Sequence, residues 1–134
     1  MKILIKGGRL VDPGQEIDAK LDILLSGNIV EKIDRNIPEK GAGMKVIDAA
    51  GHIVAPGLID VHAHLREPGY EYKETIGTGT MAAARGGFTS VVCMANTDPV
   101  NDNKSVTEYI VKMAKLEGAC RVLPCGAISK GLRG

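Results

Sequence analysis

Ala55-Pro56-Gly57-Leu58-Ile59-Asp60-Val61-His62-Ala63-His64-Leu65-Arg66-Glu67-Pro68-Gly69 reads as a short apolar strand that ends in His-x-His and turns sharply at Pro-Gly. Side chains alternate faces along a strand, so His62 and His64 fall on one face about one pleat repeat apart, within reach of a single metal ion. Imidazole suits zinc and similar borderline metals, and two ligands leave the rest of the coordination sphere to other parts of the chain.

Downstream the pattern is that of alternating strands and helices. Residues 73–85 are Ala-rich and helix-like with Gly86-Gly87 as the stop, although Gly77 and Gly79 each cost a helix interior about 1 kcal/mol relative to Ala. Phe88 to Met94 is an apolar, β-branched run of the kind buried on both faces of a parallel sheet. After the loop 95–103, Val106, Tyr109, Ile110, Met113 and Ala114 make one apolar stripe at helical spacing. Ser105-x-x-Glu108 has capping-box spacing, Asp102 and Asn103 are rival caps, and Gly118 ends the helix. Residues 121–127 read as a third strand. Strand, helix, strand, helix, strand with parallel crossovers opens an α/β fold.

Upstream, the grammar is all β. Residues 2–6 form a strand, Gly7-Gly8 a turn, and 9–11 a resumption before Asp12-Pro13-Gly14. Leu21 to Leu25 and Asn28 to Ile33 are separated at near-hairpin spacing by Ser26-Gly27, and short strands follow at 46–47 and 52–54. The expected organisation is a partial β-sandwich over 1–54, then the first three strands and two helices of an α/β unit over 55–134.

Composition bounds the function. The 134 residues are 44% apolar and 25% charged, as in a globular protein, and with 3% aromatics the core falls to Val, Ile, Leu, Ala and Met. A net charge of +1 without a basic run argues against nucleic acid or an acidic membrane surface. The N-terminal apolar run, broken at Lys6, is too short for a signal peptide or a span, so the expected location is cytoplasmic. Three cysteines, Cys93, Cys120 and Cys125, lie in or beside strand-like runs, an odd count that favours buried reduced thiols.

Two strand ends converge on one chemistry. In α/β barrels and open sheets the chemistry sits at the carboxyl ends of strands, where His62, His64, Arg66 and Asn96 all fall. Arg66 lies one alternate position beyond His64, on the same face if the strand continues, and its planar fork matches a carboxylate. Asn96 offers a donor and an acceptor from the next strand. Taken singly, each has a bland reading: an accidental His-x-His, a solvated Arg, an Asn that starts a turn. Asp60 and Glu67 form a conceivable acid/base pair, with support of a ligand or of the backbone the stronger role for Asp60. Together the four suggest a hydrolytic metal site for a small carboxylated amide.

The run from Pro56 to Gly69 closely resembles the metal-binding signature of dihydroorotases in the amidohydrolase superfamily. Gly86-Gly87-Phe88-Thr89 and Met94-Ala95-Asn96-Thr97-Asp98-Pro99-Val100 resemble the second family block, and the likeness extends from Ile5-Lys6-Gly7-Gly8 to Gly126-Ala127-Ile128. Arg-Glu-Pro-Gly after the histidine pair separates this group from most other amidohydrolases. The resemblance implies a TIM-type (β/α)8 metal-dependent hydrolase barrel with a flanking β-sandwich. It implies zinc held by His62 and His64, a substrate carboxylate held by Arg66 and Asn96 with His64 beside it, and interconversion of N-carbamoyl-L-aspartate and L-dihydroorotate in pyrimidine (UMP) biosynthesis. It also implies a homo-oligomer that associates with aspartate transcarbamoylase.

Departures matter as much. Ala95 stands where the family usually has Pro, from which a looser Asn96 loop is expected. The further histidines, the bridging carboxylate and the late aspartate that complete such sites are absent, and a whole barrel takes about 250 residues. The expectation is therefore an N-terminal fragment with no catalytic proton shuttle of its own, inactive alone, with an exposed apolar sheet edge. The alternatives are a hydantoinase- or allantoinase-like cyclic amidase, which would lack the carboxylate-gripping Arg, and a non-catalytic homologue acting as scaffold for aspartate transcarbamoylase.

Overall fold

The computed structural model describes residues 1–41 and 43–134, in two compact units, Met1–Pro56 and Gly57–Gly134. In the first, β1 (Lys2–Asp12), β2 (Ile17–Ser26) and β3 (Ile29–Asp34) form an antiparallel meander, while β4 (Lys45–Asp48) and β5 (Ile53–Val54) add in parallel to β1. The sheet order is β3-β2-β1-β4, with β5 also on β1. Leu4, Leu24 and Ile37 bury against Met44.

The expected turn at Gly7-Gly8 is instead a bulge within one long strand. The pairing register shifts between Ile5 and Gly8, and the Gly7 N–H, lost to the ladder, donates to Asp22 Oδ1 at 2.9 Å. Asp22 Oδ2 accepts from Ile37 N at 2.9 Å, so one buried carboxylate ties the bulge to the loop after β3. With its orphaned donor satisfied, the strand continues through the bulge instead of turning.

In the second unit, β6 (Leu58–Ala63), β7 (Phe88–Cys93) and β8 (Arg121–Pro124) form a parallel sheet in that order, linked by α1 (Ile76–Arg85) and α2 (Lys104–Glu117). Leu65, Ile76, Val91, Cys93, Val106 and Ile110 make the buried core, with Met113, Ala114 and Val122 against it. Full burial of an aliphatic side chain such as Ile76 or Ile110 is worth about 1.5–3 kcal/mol, so this cluster holds the helices to the sheet. Gly79, unfavourable for a helix in isolation, lies where a Cβ would come within 2.6 Å of Leu65 Cδ2, so close packing outweighs propensity there.

Several boundaries differ from the sequence expectation. Helix α1 starts at Ile76, not near 73, because Thr75 caps it: its hydroxyl accepts from Thr78 N, and the Thr78 hydroxyl accepts from Thr75 N. Asn103 wins the capping of α2, accepting from Val106 N at 3.2 Å, and Glu108 pairs with Lys104 instead of closing a capping box. Strand β8 stops at Pro124, short of 127, because the chain leaves the ladder to meet Asn101, whose Nδ2 donates to Cys125 O and whose backbone O accepts from Ala127 N. Of the three free thiols only Cys93 is buried, Cys120 being half-buried and Cys125 exposed, since Cys125 follows the strand instead of lying in it. Burial pushes the Cys93 thiol up to about 11. Ile59 and Val61 of β6 are largely exposed. No helix among the described residues is long and apolar enough to cross a membrane.

Candidate metal and substrate site

The carboxyl ends of β6, β7 and β8 are tied side by side by Met94 N donating to Ala63 O (2.9 Å) and Cys125 N donating to Cys93 O (2.8 Å). His62 lies in β6, where the Asp60 carboxylate accepts its backbone N–H at 2.9 Å, so Asp60 supports the backbone and is not paired with Glu67. His64 lies one residue beyond the strand, yet the two imidazoles remain neighbours, with centroids 5.2 Å apart and planes at 68°. Both rings are exposed.

Asn96, in the loop after β7, reaches back to this pair. His64 Nδ1 lies 3.0 Å from Asn96 Oδ1. An amide oxygen only accepts, so the hydrogen sits on Nδ1, leaving the Nε2 lone pair of His64 for a metal and the Asn96 amide NH2 for another partner. Such a contact to the second ring nitrogen is what orients metal-binding histidines. Two imidazoles and a fixed tautomer suit zinc as part of its coordination sphere. Among the described residues no group of three or more His, Cys, Asp or Glu side chains gathers to hold a metal, so the remaining ligands are not supplied at this pair.

Arg66 departs from the expected geometry. The strand ends at Ala63, so Arg66 does not continue its face; it sits in a turn with φ +63, left-handed. Its side chain is half-buried and forms no ion pair among the described residues. The turn abuts the Asn96 loop: Asp98 N donates to Pro68 O at 2.9 Å, and Gly69, at φ +97, packs so tightly that a Cβ there would run into the Asp98 carbonyl.

The Asn96 loop is tied down on both sides of Asn96 by hydrogen bonds. Ala95 is buried and its carbonyl accepts from Thr97 N (2.9 Å) and Asn101 N (3.0 Å), while the Thr97 hydroxyl donates to Pro99 O at 2.8 Å. Asn101, 1% exposed, accepts from the Thr107 hydroxyl of α2 at 2.7 Å, so one amide joins this loop, α2 and the end of β8.

The contact between Glu67 and Tyr109 escaped the sequence reading. Glu67, a conceivable acid/base group by sequence, is 5% exposed and accepts from Ile76 N (2.8 Å) and the Tyr109 hydroxyl (3.0 Å). Tyr109, counted as part of an apolar stripe, is partly exposed and turns its hydroxyl to that carboxylate. Burial, then the hydrogen bond that its hydroxyl donates to the Glu67 carboxylate, hold its pKa above the usual range, so it stays protonated. The available signal was chemical: a tyrosine in a helical stripe brings a hydroxyl that requires a partner.

Residues 51–133 match the family model described as dihydro-orotase-like. All 134 residues align with the dihydroorotase of Geobacter sulfurreducens at 58% identity and with that of Geotalea daltonii at 56%, spanning 31% of each relative's length. Among solved structures, L-hydantoinase (dihydropyrimidinase) from Arthrobacter aurescens aligns over 93% of this chain and 27% of its own, with a TM-score of 0.84 and 25% identity. D-hydantoinase (dihydropyrimidinase) from Thermus sp. aligns over 95% of this chain and 28% of its own, with a TM-score of 0.73 and 30% identity. The fold is α/β with flanking β: part of a β-sandwich, then the first βα units of a TIM-type (β/α)8 hydrolase barrel. On the family match and these identities, the chain belongs to the dihydro-orotase-like family of the amidohydrolases.

Proposed function

We propose that the chain carries the N-terminal part of the metal and substrate site of a zinc-dependent dihydroorotase, which interconverts N-carbamoyl-L-aspartate and L-dihydroorotate in de novo pyrimidine biosynthesis. The observation that carries this reading is the pairing of His62 and His64 with His64 held by Asn96, followed at Arg66 by a guanidinium that forms no ion pair among the described residues. His62 and His64 would hold zinc, which when bound lowers the pKa of a water and polarises a carbonyl.

The chain's own residues bind and orient. The Arg66 guanidinium makes a bidentate pair with the substrate carboxylate, the group that does not react, and Asn96 Nδ2 donates to the same carboxylate. Holding that carboxylate places the ring amide beside the histidine pair and replaces lost motional freedom with binding energy. Asn96 thus serves two partners, its oxygen taking the His64 hydrogen and its NH2 the substrate.

The structural likeness to hydantoinases favours a second reading, a cyclic amidase for uncarboxylated rings, and Arg66 separates the two. In the full-length chain, Arg66→Ala is expected to raise KM for dihydroorotate about 100-fold, as for a lost charge-assisted pair. An unchanged KM selects the hydantoinase reading. His62→Ala and His64→Ala are expected to lower bound zinc after dialysis, and retained zinc would overturn the metal assignment. The 134 residues alone are expected to show negligible carbamoyl-aspartate turnover, read by a discontinuous ureido assay. The same reading carries a cytoplasmic homo-oligomer and association with aspartate transcarbamoylase, checked by fractionation and by co-elution on gel filtration.

A further inference from the structure

Leu65, Arg66 and Glu67 are in turn buried, half-buried and buried, so the chain is anchored in the core on both sides of Arg66. Arg66 holds a left-handed backbone, which a non-glycine residue keeps only when its surroundings impose it. On one side the anchor is Leu65 in the apolar core. On the other it is Glu67, whose Oε2 accepts from Ile76 N at the first turn of α1 and whose Oε1 accepts from the Tyr109 hydroxyl on α2. The turn is closed locally by Glu67 N donating to Leu65 O (2.8 Å) and Tyr70 N to Arg66 O (3.0 Å). A buried carboxylate is tolerated only when its oxygens are satisfied, and here the two donors come from two helices, so the position of Glu67 is set by both.

We propose that Glu67, clamped between Ile76 N and the Tyr109 hydroxyl, is a positioning residue that holds Arg66 in its left-handed turn and so sets the preference for a carboxylated over an uncarboxylated cyclic amide. This rests on the reading of Arg66 as the carboxylate-binding group. Tyr109 touches neither substrate nor metal in this scheme; it acts only through Glu67 and then Arg66. Loosening the clamp lets the guanidinium sample orientations that do not meet the carboxylate, which weakens binding of carboxylated ligands alone.

The test uses the full-length chain and compares KM for dihydroorotate with Ki for dihydrouracil, the same ring without the carboxylate, as a competitive inhibitor. Tyr109→Phe is expected to raise KM for dihydroorotate about tenfold, the weight of one hydrogen bond to a charged group, with kcat within about twofold and with dihydrouracil Ki and zinc content unchanged. Combined with Arg66→Ala, Tyr109→Phe is expected to add nothing. Glu67→Gln, which retains an acceptor oxygen, is expected to shift the same ratio in the same direction and serves if Glu67→Ala does not fold. Equal loss for both ligands, or no change in either, overturns the positioning role while leaving Arg66 in place. If Arg66→Ala itself leaves the ratio unchanged, the carboxylate reading fails and this inference with it.

Discussion

Asp22 and Glu67 are both 5% exposed, and each accepts two hydrogen bonds. Asp22, in the first unit, accepts only backbone N–H groups, from the Gly7 bulge and from Ile37. Glu67, in the second, accepts one backbone N–H at the start of α1 and one side-chain hydroxyl from α2. Asp22 therefore sets the path of the chain, and nothing reactive lies beside it in sequence. Glu67 sets the path of the residue next to it, Arg66, through a contact that one hydroxyl controls. A buried carboxylate is thus not by itself a sign of acid/base chemistry; its donors and its neighbour in sequence tell which role it has.

The largest expected effect lies on the Glu67 side. Gly69→Ala requires a Cβ at φ +97 against the Asp98 carbonyl, and should cost more than about 3 kcal/mol in urea unfolding, since the Arg66 turn and the Asn96 loop would have to separate. A cost under about 1 kcal/mol would mean that the two loops move freely, and the clamp would lose its purpose.

Next come the carboxylates themselves. Glu67→Ala and Asp22→Ala each strand two donors and should cost roughly 2–4 kcal/mol. Hydrogen exchange separates them: Ile76 N–H should lose protection in the first variant, Gly7 and Ile37 N–H in the second. Only the Glu67 variant should alter carboxylate binding. If Asp22→Ala does so equally, the contrast between the two carboxylates fails.

The core beneath the site supplies a pH test. Cys93 titrates at about 11 when folded, above the ordinary thiol value of about 8.5. Between those values the unfolded chain releases the proton and the folded chain keeps it, so this contribution is complete below about pH 8.5 and declines as pH rises toward 11. The second unit should lose roughly 3 kcal/mol across that window. Cys93→Ala should remove most of the slope, leaving the smaller part due to Cys120 and Tyr109, which shift in the same direction; an unchanged slope would mean Cys93 is not buried in solution.

The smallest effect calibrates the others. Asn103→Ala removes one cap bond to Val106 N at the helix surface and should cost about 1 kcal/mol by thermal unfolding. A cost matching that of Glu67→Ala would erase the distinction between an exposed cap and a buried clamp.

Much of this was legible in local sequence. The apolar runs at 58–62 and 88–94, the stripe from Val106 to Ala114 and the Gly118 stop carry periodicities and end signals that neighbouring residues alone determine. His62-x-His64 and Asn96 could be assigned to strand ends for the same reason. The bulge at Gly7 was not legible, because the donor it frees is satisfied by Asp22, 15 residues away. Nor was the exposure of Cys125, which follows from Asn101 drawing the chain out of β8.

The sequence by itself determined the order of strands and helices, the family and the identity of the groups at the strand ends, since each depends on side-chain type and short-range spacing. Only the tertiary structure decided that Arg66 leaves the strand face in a left-handed turn, that Asn96 holds the His64 hydrogen and that Glu67 meets Tyr109, 42 residues away. Those contacts arise when packing of the core brings distant donors and acceptors together and excludes the water that would otherwise serve them.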